Sequence, residues 1–191
     1  GKATRPHFGQ TLDAARKNEP GSQSLLAKLM LDATQPAIAR ATAAAPAGEA
    51  GHIMWLVPAF LHNRLATHWL EQDPARSGRH AQQALALREA VSAAHPDEPE
   101  LCRDVLSSAC HAATAAVRGD DAAAAVTALE KIAACAAALP ESALTRQDNG
   151  LIFAERSAVL LAYAASRWPE RLDSFRRAGS GISASLLDRL P

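Results

Sequence analysis

The sequence is poor in aromatic residues, has no excess of charge of one sign and has no long apolar run. Aromatic residues make up only 4% of the 191 residues, and 20 basic and 20 acidic residues give a formal net charge of zero. Because no block of like charge is long enough to follow a phosphate backbone, we expect no nucleic-acid partner. The longest apolar run, Ile53 to Leu61, is too short to span a bilayer, so we also expect no membrane insertion.

Cysteine is also scarce. The three cysteines, Cys102, Cys110 and Cys135, include no close pair of the kind that binds zinc or exchanges disulfides. His62 and His68 lie six residues apart, on different faces of a helix, and no His-Glu-x-x-His arrangement occurs. We therefore expect no metal and no other cofactor. The odd number of cysteines and the lack of a secretory signal favour a reducing intracellular compartment, the cytoplasm.

Alanine and helical periodicity are what the sequence has in abundance. Between Leu101 and Leu139, two apolar stripes at helical spacing are separated by a turn sequence that contains Gly119 and two aspartates. We expect Gly119 to end the first helix in the left-handed conformation and an aspartate to cap the second, which predicts a helical hairpin. The second helix, Ala122 to Leu139, is apolar nearly all round, so we expect it in the middle of the fold, covered on two sides.

The same periodicity predicts a hairpin on either side of the central one. With little of the β-branched alternation typical of strands, the fold class is all-α: antiparallel hairpins stacked as a short solenoid, or a compact helical bundle. Residues 1–21 are expected to form a loosely ordered arm, and residues 22–191 a single helical domain. The flanking hairpins are predicted as helices over His52–Glu71, His80–His95, Leu151–Trp168 and Pro169–Arg177, with Gln72–Gly78 as a connection and Gly179–Gly181 as a flexible spacer before a last helix, Ile182–Leu190.

Two local segments resemble the tetratricopeptide-like helical-hairpin repeats. The segment ALALREAVSAAHPDEPE, Ala84 to Glu100, is similar to the second helix and exit of the longer repeat variants. The segment RGDDAAAAV, Arg118 to Val126, is similar to the turn and small-residue start of another second helix. The expected helix stops at Pro96 and Pro140 lie 44 residues apart, within the periods of helical-hairpin arrays. The resemblance implies a solenoid whose first helices line a concave side.

A polar stripe follows the first helix of the central hairpin, with members at offsets of four, four, three and four residues. Such a stripe is typical either of an ordinary solvated face or of a groove that recognises a peptide. On the second interpretation we expect an acidic ligand, because the stripe adds positive charge to a neutral chain. The stripe consists of Arg103, Ser107, His111, Thr114 and Arg118, and the resemblance implies that the groove also includes Trp55, His62, Trp69, Glu155 and Tyr163 from the flanking hairpins.

The sequence therefore predicts a non-enzymatic scaffold that binds a peptide or partner protein through a helix-lined groove. One alternative is a structural or oligomerising helical bundle, and the sequence leaves the oligomeric state open. Another is an enzyme, because Cys102-Arg103-Asp104 resembles the Cys-x-Asp pair of the all-helical ubiquitin ligases delivered by bacterial pathogens. That resemblance implies Cys102 as the catalytic thiol, in the first turn of a helix, where the pKa of a thiol is lowered.

Overall fold

A computed structural model of the chain describes residues 25, 26, 29 and 32, 49–98, 100–139 and 149–183. Helices make up most of the last three ranges, and no strand occurs in the described part of the chain, so the all-α prediction is confirmed. The expected N-terminal arm, residues 1–21, and most of the expected last helix lie outside the described residues. The helices are α1 (Glu49–Trp69), α2 (Pro74–Ala94), α3 (Glu100–Arg118), α4 (Ala122–Ala138), α5 (Asn149–Arg167) and α6 (Leu172–Ile182), with a short 3₁₀ helix (Pro169–Arg171) before α6.

The first hairpin joins α1 to α2 through a tighter connection than the sequence suggests. The α2 helix begins at Pro74, so the prediction of a connection over Gln72–Gly78 and a helix start at His80 was wrong. Asp73 is the N-cap, and its Oδ1 accepts a hydrogen bond from the backbone N–H three residues on at 2.9 Å. Pro74 occupies the first turn, where a missing N–H leaves no hydrogen bond unmade. Together, the cap and the proline allow the helix to begin upstream of its first apolar stripe residue.

The turn between α3 and α4 uses its residues differently from the expected way. Asp120, not Gly119, takes the left-handed conformation, with φ of 59°. Gly119 is required by space instead, because a Cβ there would lie 3.1 Å from the carbonyl oxygen of Ala115 and 3.6 Å from Cβ of Pro74. Asp121 caps α4 as expected, since its carboxylate accepts a hydrogen bond from a backbone N–H of the first turn at 2.9 Å.

In the third hairpin, α6 is continuous through the segment expected to be a flexible spacer. Gly179 and Gly181 both lie within α6. A Cβ at Gly181 would lie 2.9 Å from Cβ of Ala133 on α4, and one at Gly179 would lie 3.2 Å from Leu161 on α5. The spacer prediction was wrong because these glycines allow close approach between helices, and helix packing offsets their poor helix propensity.

The helices pack in consecutive pairs, and α3 lies in the middle, in contact with α1, α2, α4 and α5. The prediction that α4 is the central helix was wrong, because one of its faces, with Ala123, Thr127, Glu130 and Ala134, is exposed. Extensive contacts join α1 to α2, α2 to α3 and α3 to α4, while α6 packs on both α4 and α5. The first helices of the hairpins are also neighbours, because α3 contacts α1 on one side and α5 on the other. Lys131 of α4 reaches the first hairpin through an ion pair with Glu89 at 2.6 Å. The largest fully buried side chains of the core include Phe175, Leu106, Leu129, Ile132 and Ile182.

Candidate binding groove

A groove lies between α1, α3 and α5, with α3 in the middle. Its central cavity measures about 480 Å³, within the size range of pockets that hold ligands or side chains of a partner. Each of the three sides of the groove contributes at least two residues to the lining. We call this surface the groove; it is formed by Thr67 of α1 and Leu70 just after α1, by Cys110, His111 and Thr114 of α3, and by Glu155, Arg156, Val159 and Leu160 of α5.

Part of the predicted polar stripe forms the middle of this groove. His111 and Thr114 line the cavity. Arg118, at the end of α3, is exposed, and its Nη2 lies 3.3 Å from a carboxylate oxygen of Glu71, so its charge is already paired. Unlike a fully solvated face, most of the stripe is sheltered by the flanking helices. The half-buried members are Arg103, Ser107, His111 and Thr114.

The α5 helix contributes both of the residues that the resemblance implied from the third hairpin, but in different ways. Glu155 lines the groove directly. Tyr163 lies two turns further along α5, is 50% exposed and is not part of the lining. Between them lies Val159, which lines the groove although its side chain is 68% exposed. Val159 and Tyr163 lie one turn apart on α5, so their exposed side chains together form an apolar rim.

The residues implied from α1 lie elsewhere. The side chain of Trp55 is outside the described part of the chain. His62 is buried at the contact between α1 and α2, where its Nδ1 lies 3.0 Å from Nδ1 of His80. Burial, reinforced by His80, lowers the pKa of His62 to about 4. Trp69 is half-buried beneath the guanidinium of Arg76, which lies 3.8 Å from its ring centroid. Neither His62 nor Trp69 lines the groove.

The electrostatics of the groove centre on His111 and on three arginines that the sequence analysis did not select. Burial lowers the pKa of His111 to about 4, and the positive charges of Arg156, Arg88 and Arg64 lower it further in that order. His111 is therefore neutral at pH 7, and α1, α2 and α5 each carry one cation whose charge acts on it. A signal was available for two of them, because Arg64 lies one turn before Thr67 and Arg156 follows Glu155 on helices expected to flank the stripe.

Arg88 had no such signal, because it sits within the apolar face of α2. It is only 9% exposed, and its Nη1 donates to the carbonyl oxygen of Asp104 at 2.7 Å and to Oγ of Ser108 at 3.1 Å. Ser108 also accepts a hydrogen bond from Nδ2 of Asn63 at 3.1 Å, so α1, α2 and α3 share one buried polar network. Within the described residues, Nε of Arg88 has no hydrogen-bond partner. Burial lowers the pKa of Arg88, and the charge of Asp104 only partly offsets this effect.

The cysteines show where a thiol could react. Cys102 is half-buried against the core, with Sγ 3.7 Å from Oγ of Ser92. Cys110 and Cys135 are buried, and burial raises the pKa of each thiol to about 11. Both are therefore protonated at neutral pH and are poor nucleophiles. Cys102 is left as the thiol to which the enzyme alternative applies.

The described residues contain no group of three or more His, Cys, Asp or Glu side chains placed to hold a metal ion. In the same part of the chain, none of the helices combines the length and apolar character that crossing a bilayer requires. Comparison of the chain with protein-family models, with curated proteins and with solved structures gives no match.

Proposed function

We propose that this protein is a non-enzymatic scaffold that binds a segment of a partner protein in the groove between α1, α3 and α5. The observation that carries the proposal is the composition of the groove. Three helices contribute to one cavity of about 480 Å³, which has apolar side chains at its rim and a cluster of cations around His111. A surface that combines apolar anchors with charged groups is typical of peptide-recognition grooves.

The tetratricopeptide-like architecture is part of the same proposal. It is supported by the way α1, α3 and α5, the first helices of the three hairpins, neighbour one another along the chain. On this interpretation the groove is the concave side of a short array, and a bound segment crosses successive first helices.

A charge placed at the rim tests this function. Val159→Asp puts a carboxylate on a side chain that is 68% exposed, so the fold should be retained. The matched control is Ala86→Asp, which adds the same charge at an exposed position of α2, outside the groove. Partners are captured from a lysate of the source organism with the parent and both variants, and a purified candidate is then titrated against each chain.

The proposal predicts that a purified partner binds the parent and Ala86→Asp alike and binds Val159→Asp at least about tenfold more weakly. Equal binding to all three chains would place the binding surface elsewhere. Light scattering decides the oligomerising alternative. If the parent dimerises and Val159→Asp is monomeric, the groove is an interface between copies of this chain.

A further inference from the structure

Two exposed arginines flank the middle of the groove. Arg64 on α1 and Arg156 on α5 lie on opposite sides of α3, and both contribute positive charge at His111. No carboxylate among the described residues forms an ion pair with either. By contrast, Arg118 pairs with Glu71, and Arg167 pairs with Asp120 at 3.0 Å.

The buried layer under the groove adds a further positive charge, that of Arg88. Arg88 is buried beneath this region, where its Nη1 donates to a carbonyl oxygen and a hydroxyl, and its Nε makes no hydrogen bond within the described part of the chain. The acidic groups that face the site are Glu155 in the lining and Asp104 near Arg88. Around His111, which is itself neutral at pH 7, the charges of three arginines therefore outnumber those of two carboxylates. An anion placed between the arginines would gain attraction from all of them, because the surrounding protein screens charges less than water does.

Part of the remaining lining is apolar, beside Thr67 and Thr114. Leu70, Val159 and Leu160 enclose the cavity from the α1 and α5 sides, and Val159 is largely exposed. Burying apolar surface is favourable by about 25 cal/mol per Å², so an aliphatic side chain is the natural occupant of this part. The charged and apolar parts of the lining share α5, where Arg156 and Val159 are three residues apart and lie on one face of the helix.

We infer that the bound segment is acidic and apolar, with an Asp or Glu carboxylate held between Arg64 and Arg156 and an aliphatic side chain seated against Leu70, Val159 and Leu160. This inference rests on the proposed function and specifies the chemistry of its partner. A guanidinium can hold a carboxylate with two parallel hydrogen bonds, and the ring of Phe60, 5.1 Å from the Arg64 guanidinium, helps to orient that group.

Synthetic peptides test the chemistry without an identified partner. The probes are fluorescently labelled peptides of about twelve residues, built from Glu and Leu, from Gln and Leu, from Lys and Leu, or from Glu and Ser. Fluorescence anisotropy should show binding of the Glu–Leu peptide to the parent chain, with affinity falling as sodium chloride is raised. The other three peptides should bind at least about tenfold more weakly, because each lacks the charge or the apolar side chain.

A matched pair of double variants locates the site. Arg64→Gln with Arg156→Gln removes two positive charges from the groove, whereas Arg176→Gln with Arg177→Gln removes two from exposed positions of α6. The first pair should weaken the Glu–Leu peptide about tenfold, and the second less than about twofold, although both change the net charge equally. Equal losses in the two pairs would mean that only the overall charge matters and would overturn the inference.

The outcomes also separate this inference from the proposed function. Failure of the Glu–Leu peptide to bind, or equal binding of the Gln–Leu peptide, overturns the acidic assignment. In that case a partner protein whose binding is lost in Val159→Asp and kept in Ala86→Asp would still establish the groove as a binding surface. If both tests fail, the groove itself is not the functional site.

Discussion

The close contact between α6 and α4 offers the sharpest test of the fold. Gly181 lies in the last turn of α6, and a Cβ at this position would stand 2.9 Å from Cβ of Ala133. Carbon atoms in ordinary contact are about 3.5 to 4.0 Å apart, so Gly181→Ala must push the two helices apart or deform one of them. The neighbouring Ile182 is only 1% exposed, so the displaced segment belongs to the core.

The size of the effect follows from two opposing contributions. Overpacking a well-packed interior costs about 1 to 3 kcal/mol. Alanine is a better helix former than glycine by up to about 1 kcal/mol, and by less in a last turn. We therefore expect Gly181→Ala to lower the free energy of unfolding by about 1 to 2 kcal/mol. Gly78→Ala is the control, because a Cβ at Gly78 in α2 would meet nothing within 4 Å, and it should raise stability by about 0.5 to 1 kcal/mol.

Urea denaturation measures both changes in the free energy of unfolding, provided that the dependence of that free energy on urea concentration is the same in all variants. A double-mutant cycle then assigns the loss to this contact. Ala133→Gly removes the clashing methyl group. The double variant with Gly181→Ala should therefore lose about 1 kcal/mol or more less unfolding free energy than the two single variants lose in total. If Gly181→Ala is as stable as Gly78→Ala, or if the cycle shows no coupling, the close approach of α6 to α4 is refuted.

Two further predictions address the core and the buried histidines. Leu129 on α4 is completely buried, so Leu129→Asp should cost more than about 4 kcal/mol of stability and abolish cooperative unfolding. The control Ala123→Asp, at the exposed start of α4, should be nearly neutral. A parent-like urea midpoint for Leu129→Asp would contradict the burial of this face of α4. The pKa of His62 is lowered to about 4 in the folded chain, whereas an unfolded histidine titrates near 6.5, so the unfolded chain binds the proton first as pH falls. The free energy of unfolding attributable to His62 should therefore drop by about 2 to 3 kcal/mol between pH 7 and pH 4. His62→Gln should remove this contribution and leave the smaller drop due to His111, whose pKa is also lowered to about 4. An unchanged profile would mean that His62 titrates normally in the folded state.

Much of the fold could be predicted because its determinants are local. The apolar stripe of α3 and the cap at Asp121 each depend on residues within one or two turns of one another, and both were correctly identified. The predicted helix boundaries were wrong where the local sequence pattern was weak and tertiary packing or capping set the actual boundary. The start of α2 at Pro74 was missed because its first two turns carry no apolar stripe.

The candidate site was predictable only in part. His111, Thr114 and Glu155 were selected from helical spacing and from the resemblance, and the structure brings them to one cavity. The cations that define its charge were not selected, because Arg64 and Arg156 are separated by 92 residues and become neighbours of His111 only when α1 and α5 pack on either side of α3.

The sequence by itself therefore determined the helical class, the central hairpin and the position of the polar stripe, because helix propensity, capping and periodicity act over a few residues. The tertiary structure alone decided the roles of Gly119, Gly179 and Gly181, the burial of Arg88 and the assembly of the groove. Gly179 and Gly181 look like a spacer in the sequence, and only the approach of α4 and α5 shows that they are there to make room. Such contacts join residues far apart in the chain, so no local pattern encodes them.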